Sequence, residues 1–584
     1  MIILEKLVNY IKKYPWIDFL ILGIILITFA LLFGNHVSLP FTDRGRELFL
    51  SEQIMYGAVP YKDITLIYFP FAYYINALLF KIFGNSLDTL FISQIILSFG
   101  MICLFYNLAK DFLSRKLSFV LTFFILASCI FSINDLFGMT NPYSYAMVYG
   151  IAAFWLCIFS LVKLFKTDNI KFAYLAGLAG GFSVSCKLEF ITVIFLLIAG
   201  FLLYKRLKFN QYLKILLSFC VFPFLVISIL IIQGITIKNI TDAIVFAKNF
   251  SSSNAMKDFL GLMGLYPIFH INDLAMLVNY TLKFVLMILS CIFTLFLHKK
   301  YKQIYILPIA TILICAYFGS TDQLYSNWLF LPIFVFLLSC TFFKQLKNED
   351  KSILLILICA ILLSQRVFFG LSLRLYGVFA LPFLILGLNM LIEKFAPKNI
   401  FNIKTENIII YVFSILIISH TIGQYSHRIQ TNYPIFSEKG IMYTDEGTAY
   451  TINTTLDYIK FSTNKNDKIL VLQEGNIINY MGDRKVDLHC FIMDILYYEA
   501  YKPKKAIEIV KQTKSDYIII VNFGIPYFNR PFLYEKDSNT LIGYIYKNYT
   551  PVLGILKNQL EVTNNINLIK NDGNAGLIIL KKIK

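Results

Sequence analysis

Apolar residues in this chain come in long unbroken blocks, not in the alternation of strands or the one-sided stripes of soluble helices. From Leu20 to about His420 the blocks recur, each close to the ~20 residues that cross a bilayer as a helix. Hydrocarbon offers the backbone no water to bond, so each block is predicted to be helical. Hydropathy predicts about thirteen spans, at 17–34, 88–108, 117–134, 143–163, 172–187, 188–204, 214–234, 274–297, 303–319, 327–343, 352–369, 374–392 and 407–424. The stretch 66–83 is also apolar, but it follows Pro60 and contains Pro70. It is predicted as a helix lying at, or dipping into, the outer surface.

The links between blocks carry the topology. With the N-terminus in the cytoplasm, the inner links hold Lys110/Arg115/Lys116, Lys163/Lys166/Lys171, Lys205/Arg206/Lys208, Lys299/Lys300/Lys302, Lys344/Lys347/Lys351 and Lys394/Lys398. This is the distribution the positive-inside rule expects. An odd number of spans leaves the C-terminus outside. Two hydrophilic parts then face outward: the first loop, 35–87, and a tail beginning near Gln424. The chain divides into a membrane unit, 1–424, and an extracytoplasmic domain, 425–584. Within the tail, Lys468–Gln473 and Asp516–Val521 read as buried strands. Lys504–Thr513 has helical spacing, Leu541–Tyr549 reads as a further helix, and Pro551–Leu556 is strand-like. The fold class is an α-helical polytopic membrane protein with a small C-terminal α/β domain.

Composition agrees: 58% of residues are hydrophobic and only 15% charged, against about a quarter charged in soluble chains. The net charge of +18 would point to nucleic acid in a soluble protein. Here the basic residues sit in the short links, with no basic patch interleaved with aromatics, which excludes that partner. Nine of the ten cysteines lie in or beside apolar segments and Cys490 stands alone in the tail, so no disulfide framework is implied. Lys12 and Lys13 precede the first block without a small-residue cleavage site, so the first helix is expected to remain as an anchor.

The first loop concentrates candidate chemistry. It carries Asp43, Glu47 and Asp63, with Arg44 and Arg46 beside the first acid. A carboxylate at the membrane surface can accept a proton from a hydroxyl, and arginines can hold phosphate oxygens. The second outer loop offers Asp135, which suits a turn or helix cap as well. Lys187 and Glu189 interrupt the apolar stretch 172–204 after a run of small residues, Gly177, Gly180 and Gly181. Lys187 fits either a bound phosphate or a hairpin lysine reaching water. Arg366 and Arg374 fit phosphate binding or the anchoring of a helix end. His420 and His427 read as interfacial. No metal motif or nucleotide-binding glycine loop is present, and the sequence requires no cofactor. A divalent ion shared by Asp43 and Asp135 stays open.

Four features occur in order: an acid just after the first span; Gly57-Ala-Val-Pro60-Tyr61 with Asp63; Pro70-Phe-Ala-Tyr73-Tyr74; and Phe83-Gly84-Asn-Ser86. This pattern resembles the membrane glycosyltransferases of the GT-C superfamily, in the branch of protein O-mannosyltransferases, lipid A aminoarabinose transferases and related bacterial enzymes. Pro70-Phe71 replaces a more usual Pro-Pro, and no Lys stands beside Tyr73-Tyr74, which counts against lipid A modification. The resemblance implies a polyprenyl-phosphate sugar as donor and a lipid, glycan or protein acceptor. It implies Asp43 as the base for the acceptor hydroxyl, Asp135 as a second acid, and Lys187 with Arg366 or Arg374 at the donor phosphate. The expected reaction is an inverting displacement at the outer face of a bacterial inner membrane. A carrier or flippase of lipid-linked sugars, or a surface-polysaccharide polymerase, would share much of this layout.

Overall fold

The computed structural model describes residue 14 and residues 16–132, 138–262, 330–365, 377–400, 403–484, 486, 488–521, 540–556, 561–563 and 575–583, with isolated positions between 275 and 293. Among the described residues, 6 helices are long and apolar enough to cross a membrane: Trp16–Phe33, Leu87–Lys110, Tyr145–Thr167, Phe209–Ile232, Val378–Phe395 and Thr405–Gln430. Further helices at Arg115–Ile125, Lys171–Cys186, Thr192–Tyr204, Phe330–Glu349 and Lys351–Leu363 occupy other predicted intervals. The intervals 274–297 and 303–319 fall, but for isolated positions, outside the described residues. The last long helix runs to Gln430, past the 424 expected from hydropathy. Its final turns are polar yet remain hydrogen-bonded, a continuation that an apolar window does not register.

The bundle has two chemically distinct ends. At one, Arg115 holds Asp18 at 2.6 Å, Lys163 holds Asp111 at 2.8 Å and Arg206 holds Asp168 at 2.6 Å. These are the Lys- and Arg-rich links. The first loop, the 138–144 segment and Lys187 lie at the other end, where the tail packs. Between the ends, apolar side chains point outward. Phe209–Ile232 buries only Ile215 and Val226 among the described residues, and Phe224 and Ile231 are exposed. Such a surface is stable against lipid and costly against water. Helix Lys171–Cys186 meets Phe209–Ile232 through a Gly-x-x-x-Gly stripe. A Cβ on Gly177 would come 2.8 Å from the Ile215 carbonyl oxygen, and one on Gly181 would collide with that of Phe219.

The first loop is not an open loop. It folds into two helices, Asp43–Met55 and Phe71–Phe83. The second has 13 residues, about 20 Å, which is short of the ~30 Å hydrocarbon layer. Helix Asp43–Met55 was not expected from the hydrophobic pattern. Arg44 through Glu52 are buried without a break, so no exposed face gives the helix an amphipathic period.

The tail begins with a hairpin, β3 (Tyr433–Ser437) and β4 (Gly440–Thr444), after a minor one at the opposite end of the bundle, β1 (Asn399–Ile400) and β2 (Ile403–Lys404). Helix Glu446–Ser462 follows, capped by the Asp445 carboxylate on Thr448 N–H at 3.0 Å. A five-stranded sheet then forms from β5 (Ile469–Leu472), β6 (Tyr517–Val521), β7 (Tyr549–Leu556), β8 (Glu561–Thr563) and β9 (Ala575–Lys582), in the order β5-β6-β9-β7-β8. Strands β5 and β6 are parallel and wholly buried, joined through helices Asn476–Gly482, Ile495–Tyr501 and Pro503–Thr513.

Tail and first loop share one hydrophobic core, in which Phe49, Leu50 and Ile54 join Ile477, Ile478 and Tyr480. Backbone bonds fasten the two together. Val37 N–H donates to the Tyr443 carbonyl at 2.8 Å, Tyr443 N–H to Asn35 at 2.9 Å, and Leu87 N–H to Lys439 at 2.8 Å. The chain on leaving the first long helix, and again on entering the second, is therefore held by the β3–β4 hairpin. Loop and tail also approach closely at Gly45, where a Cβ would lie 2.5 Å from Ile477 N. We expect Gly45→Ala to force the loop helix away from Asn476–Gly482, at a cost of about 1–3 kcal/mol. Hydrogen exchange should then speed up at Ile477–Met481 while the amides of Tyr145–Thr167 keep their protection. Unchanged exchange at Ile477–Met481 would show that this contact does not hold the tail.

Candidate active site at the junction of the first loop and the tail

Asp43 is the first residue of its helix, where the amide dipoles favour a carboxylate. Arg46, one turn later on the same face, binds Asp43 through Nη2 and donates from Nη1 to Glu474 Oε1 at 2.9 Å. Glu474 follows strand β5 with only Gln473 between, so this guanidinium ties the first loop to the tail. Its face lies 5.5 Å from the centre of the Tyr68 ring. The three side chains are unequally covered: Arg46 is 8% exposed, Glu474 11% and Asp43 32%. Asp43 is the most exposed of the three.

A third carboxylate, Asp494, caps helix Ile495–Tyr501 through the Tyr497 N–H at 2.8 Å and lies within the field of Arg46. One arginine thus serves Asp43, Glu474 and Asp494. A single cation cannot neutralise three acids, and burial accordingly pushes both Glu474 and Asp494 up from the usual carboxylate range, with Asp43 adding to the repulsion.

Glu47 lies one turn beyond Asp43 but faces inward. Tyr73 O–H donates to its Oε1 at 2.6 Å and Tyr145 N–H to its Oε2 at 3.1 Å. Burial pushes its pKa up to about 7, against the pull of these donors and of Arg46. Behind it a polar chain runs from Ser51 to Asn76 (3.2 Å), Tyr149 (2.7 Å) and Gln94 (3.1 Å). Glu52, further along the helix, is held by Lys439 of the tail and by Asn85 at 2.5 Å.

Lys187 stands in extended backbone between two helices, 3.1 Å from the Tyr143 hydroxyl and 3.5 Å from Glu189. It lies at the end of the helix hairpin, at the end of the bundle that carries Asp43, with Tyr143 and Glu189 as its polar partners. Asp63 serves the turn before the second loop helix, accepting from Val59 N–H at 2.8 Å. Asp135, Arg366 and Arg374 lie outside the described residues. His420 is buried within the helix Thr405–Gln430. No cluster of three His, Cys, Asp or Glu side chains suited to a metal occurs among the described residues.

Glu474 and Asp494 escaped the sequence reading. The available signal was the acid in Gln473-Glu474-Gly475, just past the C-terminal end of a buried parallel strand, where α/β sheets place their functional groups.

The raised pKa of Glu47 has a measurable consequence. A carboxyl group whose folded pKa exceeds its unfolded value contributes stability that is complete below about 4.5 and lost as pH rises through about 7. The expected loss from this residue is on the order of 3 kcal/mol across that interval, given 1.36 kcal/mol per pKa unit. Thermal midpoints in detergent should fall from pH 5 to pH 8, and Glu47→Gln should flatten part of that slope. An identical slope in the variant would mean that Glu47 titrates normally.

Comparison with known proteins follows the same outline. Residues 69–232 match the family model described as dolichyl-phosphate-mannose-protein mannosyltransferase. A search of curated proteins finds no match. Among solved structures, ArnT from Cupriavidus metallidurans bound to undecaprenyl phosphate aligns over 97% of this chain and 98% of that one, with a TM-score of 0.50 and 10% identity. An Archaeoglobus fulgidus oligosaccharyltransferase, solved with Zn and sulfate, aligns over 94% of this chain and 73% of that one, with a TM-score of 0.46 and 11% identity. The likeness to ArnT is one of fold along the whole length. The family match covers the end of the first loop and the helices that follow it, and over that stretch this integral membrane protein is similar to the membrane glycosyltransferases of the GT-C superfamily.

Proposed function

We propose that the protein transfers a sugar from a polyprenyl-phosphate-linked donor to an acceptor hydroxyl at the outer face of the membrane. The observation that carries this reading is the junction itself. A partly exposed carboxylate, Asp43, and a cation, Lys187, stand at one end of the bundle, roofed by the tail, while the Lys- and Arg-rich links lie at the opposite end. By the positive-inside rule the junction is then extracytoplasmic, with the N-terminus in the cytoplasm of, in our reading, a bacterial cell. Nucleotide sugars are absent there, whereas a lipid-linked donor enters sideways from the bilayer. The family model is named for dolichyl-phosphate-mannose and ArnT was solved with undecaprenyl phosphate, and both names support a donor of this class.

The reaction is a single displacement. The acceptor oxygen attacks the anomeric carbon as Asp43 takes its proton, and the bond from that carbon to the phosphate oxygen breaks. Configuration inverts and the polyprenyl phosphate leaves with the electron pair. Lys187, with Arg366 or Arg374, stabilises the charge that grows on the leaving phosphate. Glu189 holds the Lys187 ammonium in place, Asp135 orients the acceptor, and the tail shapes the acceptor entrance. Nothing in this scheme calls for a metal.

The test is transfer from a panel of radiolabelled polyprenyl-phosphate hexoses and pentoses to native membrane acceptors in detergent. Wild type should transfer at least one sugar, and Asp43→Asn should lose about 10²–10⁴-fold in rate while folding normally. Full activity in Asp43→Asn would remove Asp43 from the chemistry. A folded wild type inactive with every donor would instead favour a carrier or a polymerase of lipid-linked glycans. Lys187→Gln should lower kcat by about 10²-fold. A change confined to KM would mean that Lys187 only binds.

A further inference from the structure

The long helix Phe209–Ile232 starts beside the Arg206 link and ends on two exposed isoleucines, Ile231 and Ile232. The chain turns through Gly234, whose φ of +78° suits glycine. Thr236 Oγ1 then accepts from the Asn239 N–H at 3.3 Å, and Asn239 Oδ1 accepts from the Thr236 N–H at 3.0 Å. This reciprocal cap opens a new helix, Ile237–Ser252, instead of prolonging the old one. The new helix has 16 residues, about 24 Å, and three chemically different sides. At about 100° per residue, Ile237, Ile240 and Ile244 fall within about 60° of one another. All three are exposed, Ile237 at 82% and Ile244 at 62%. About 130° round the helix, Phe246 and Phe250 are buried. Between these two sides run the exposed polar residues Lys238, Asp242 and Asn249.

The phenylalanine side belongs to the tail. Phe246 packs on Tyr501 with ring centres 4.6 Å apart and on Tyr497 at 5.4 Å, and Phe250 meets Tyr497 at 5.5 Å. The next helix, Asn254–Leu262, fastens the same element, its Ala255 N–H donating to Glu499 Oε2 at 2.9 Å. Both grip helix Ile495–Tyr501, whose N-cap is Asp494. On the other flank Tyr74 O–H donates to Gln233 Oε1, which ties the turn to the second loop helix.

The isoleucine side is different, because an exposed apolar strip is costly in water. Lipid is the occupant that its position supplies. The strip follows Ile231 and Ile232 of the span within a few residues, at the end of the bundle where that span leaves the hydrocarbon. Amphipathic helices of this kind lie with the apolar side about 5–10 Å into the headgroup and acyl boundary. Lys248, exposed on the same side, has a stem long enough to carry its ammonium to the headgroups.

We propose that helix Ile237–Ser252 lies in the outer surface of the bilayer, with Ile237, Ile240 and Ile244 among the acyl chains, and that it seats the tail helix Ile495–Tyr501 on the membrane. The partner is the lipid surface itself. The proposal does not need the sugar-transfer reading. It adds that Asp494, in the field of Arg46, is positioned by the membrane as well as by the first loop.

The experiment measures added tryptophan emission, with the wild-type signal subtracted, in nanodiscs of phosphatidylcholine brominated near the head of its acyl chains. Ile240→Trp and Ile244→Trp should each lose about half or more of that emission to the bromine, and Asn249→Trp, on the polar side, should lose little. Equal quenching at all three positions would overturn the proposal. So would no quenching at 240 and 244, which would mean that protein, a second copy or another part of this chain, covers the isoleucines. The seating is read by hydrogen exchange in the same nanodiscs. With Ile240 and Ile244 both changed to Ser, exchange at Tyr497–Tyr501 should rise about 3–10-fold while Leu470–Leu472 keep their protection. Unchanged exchange at Tyr497–Tyr501, or an equal rise at both places, would overturn the seating. Sugar transfer enters neither readout, so failure here leaves the transfer reading standing.

Discussion

One guanidinium joins the two halves of this molecule. Arg46 reaches Asp43 on its own helix and Glu474 at the end of a tail strand, and it is nearly sealed from solvent while doing so. Buried ion pairs are poor sources of net stability, because desolvation offsets most of the attraction. Their effect is on geometry: removing one partner strands the others, so the arrangement tolerates little displacement. With Asp494 close by, Arg46 also faces more negative charge than it can neutralise, and burial keeps protons on part of the cluster. Asp43, the most exposed member, is held in a fixed direction by a residue that the tail in turn holds.

The surrounding packing serves that geometry. A second hydrophobic core, distinct from the one among the helices, is built jointly from the first loop and the tail. The β3–β4 hairpin is bonded to the chain at Asn35 and Val37 and again at Leu87, so both ends of the loop are pinned to the same tail element. Lys439, from the turn of that hairpin, adds an ion pair with Glu52 and a 2.5 Å bond to the Tyr480 carbonyl. The tail therefore acts as a wall of the site and not as an appendage.

Much of the framework was legible in the sequence because its cause is local. A block of apolar residues has one stable form in hydrocarbon, and among the described residues the basic links at Arg115, Lys163 and Arg206 share one end of the bundle. The stretch 66–83 was recognisable as a short helix from its prolines, and strands β5 and β6 from their unbroken apolar runs. What stayed hidden depends on contacts between distant segments. Helix Asp43–Met55 is buried around its whole circumference while carrying Asp43, Arg44, Arg46, Glu47 and Glu52, so its composition suggested a solvated loop. The partnership of Arg46 with Glu474 spans 428 residues of sequence, and no local pattern announces it. Asp43 and Lys187 were singled out from sequence and share one end of the bundle. Asp63, singled out with them, stabilises a turn.

The claim that loop and tail form one catalytic unit through Arg46 is most directly tested by a double-mutant cycle on sugar transfer, with Arg46→Gln, Glu474→Gln and the pair together. The account predicts strong coupling, about 1–3 kcal/mol in the activation free energy, so that the double variant is little slower than Arg46→Gln alone. Strictly additive losses would contradict it, and would mean that the tail contacts the first loop without setting the geometry of Asp43.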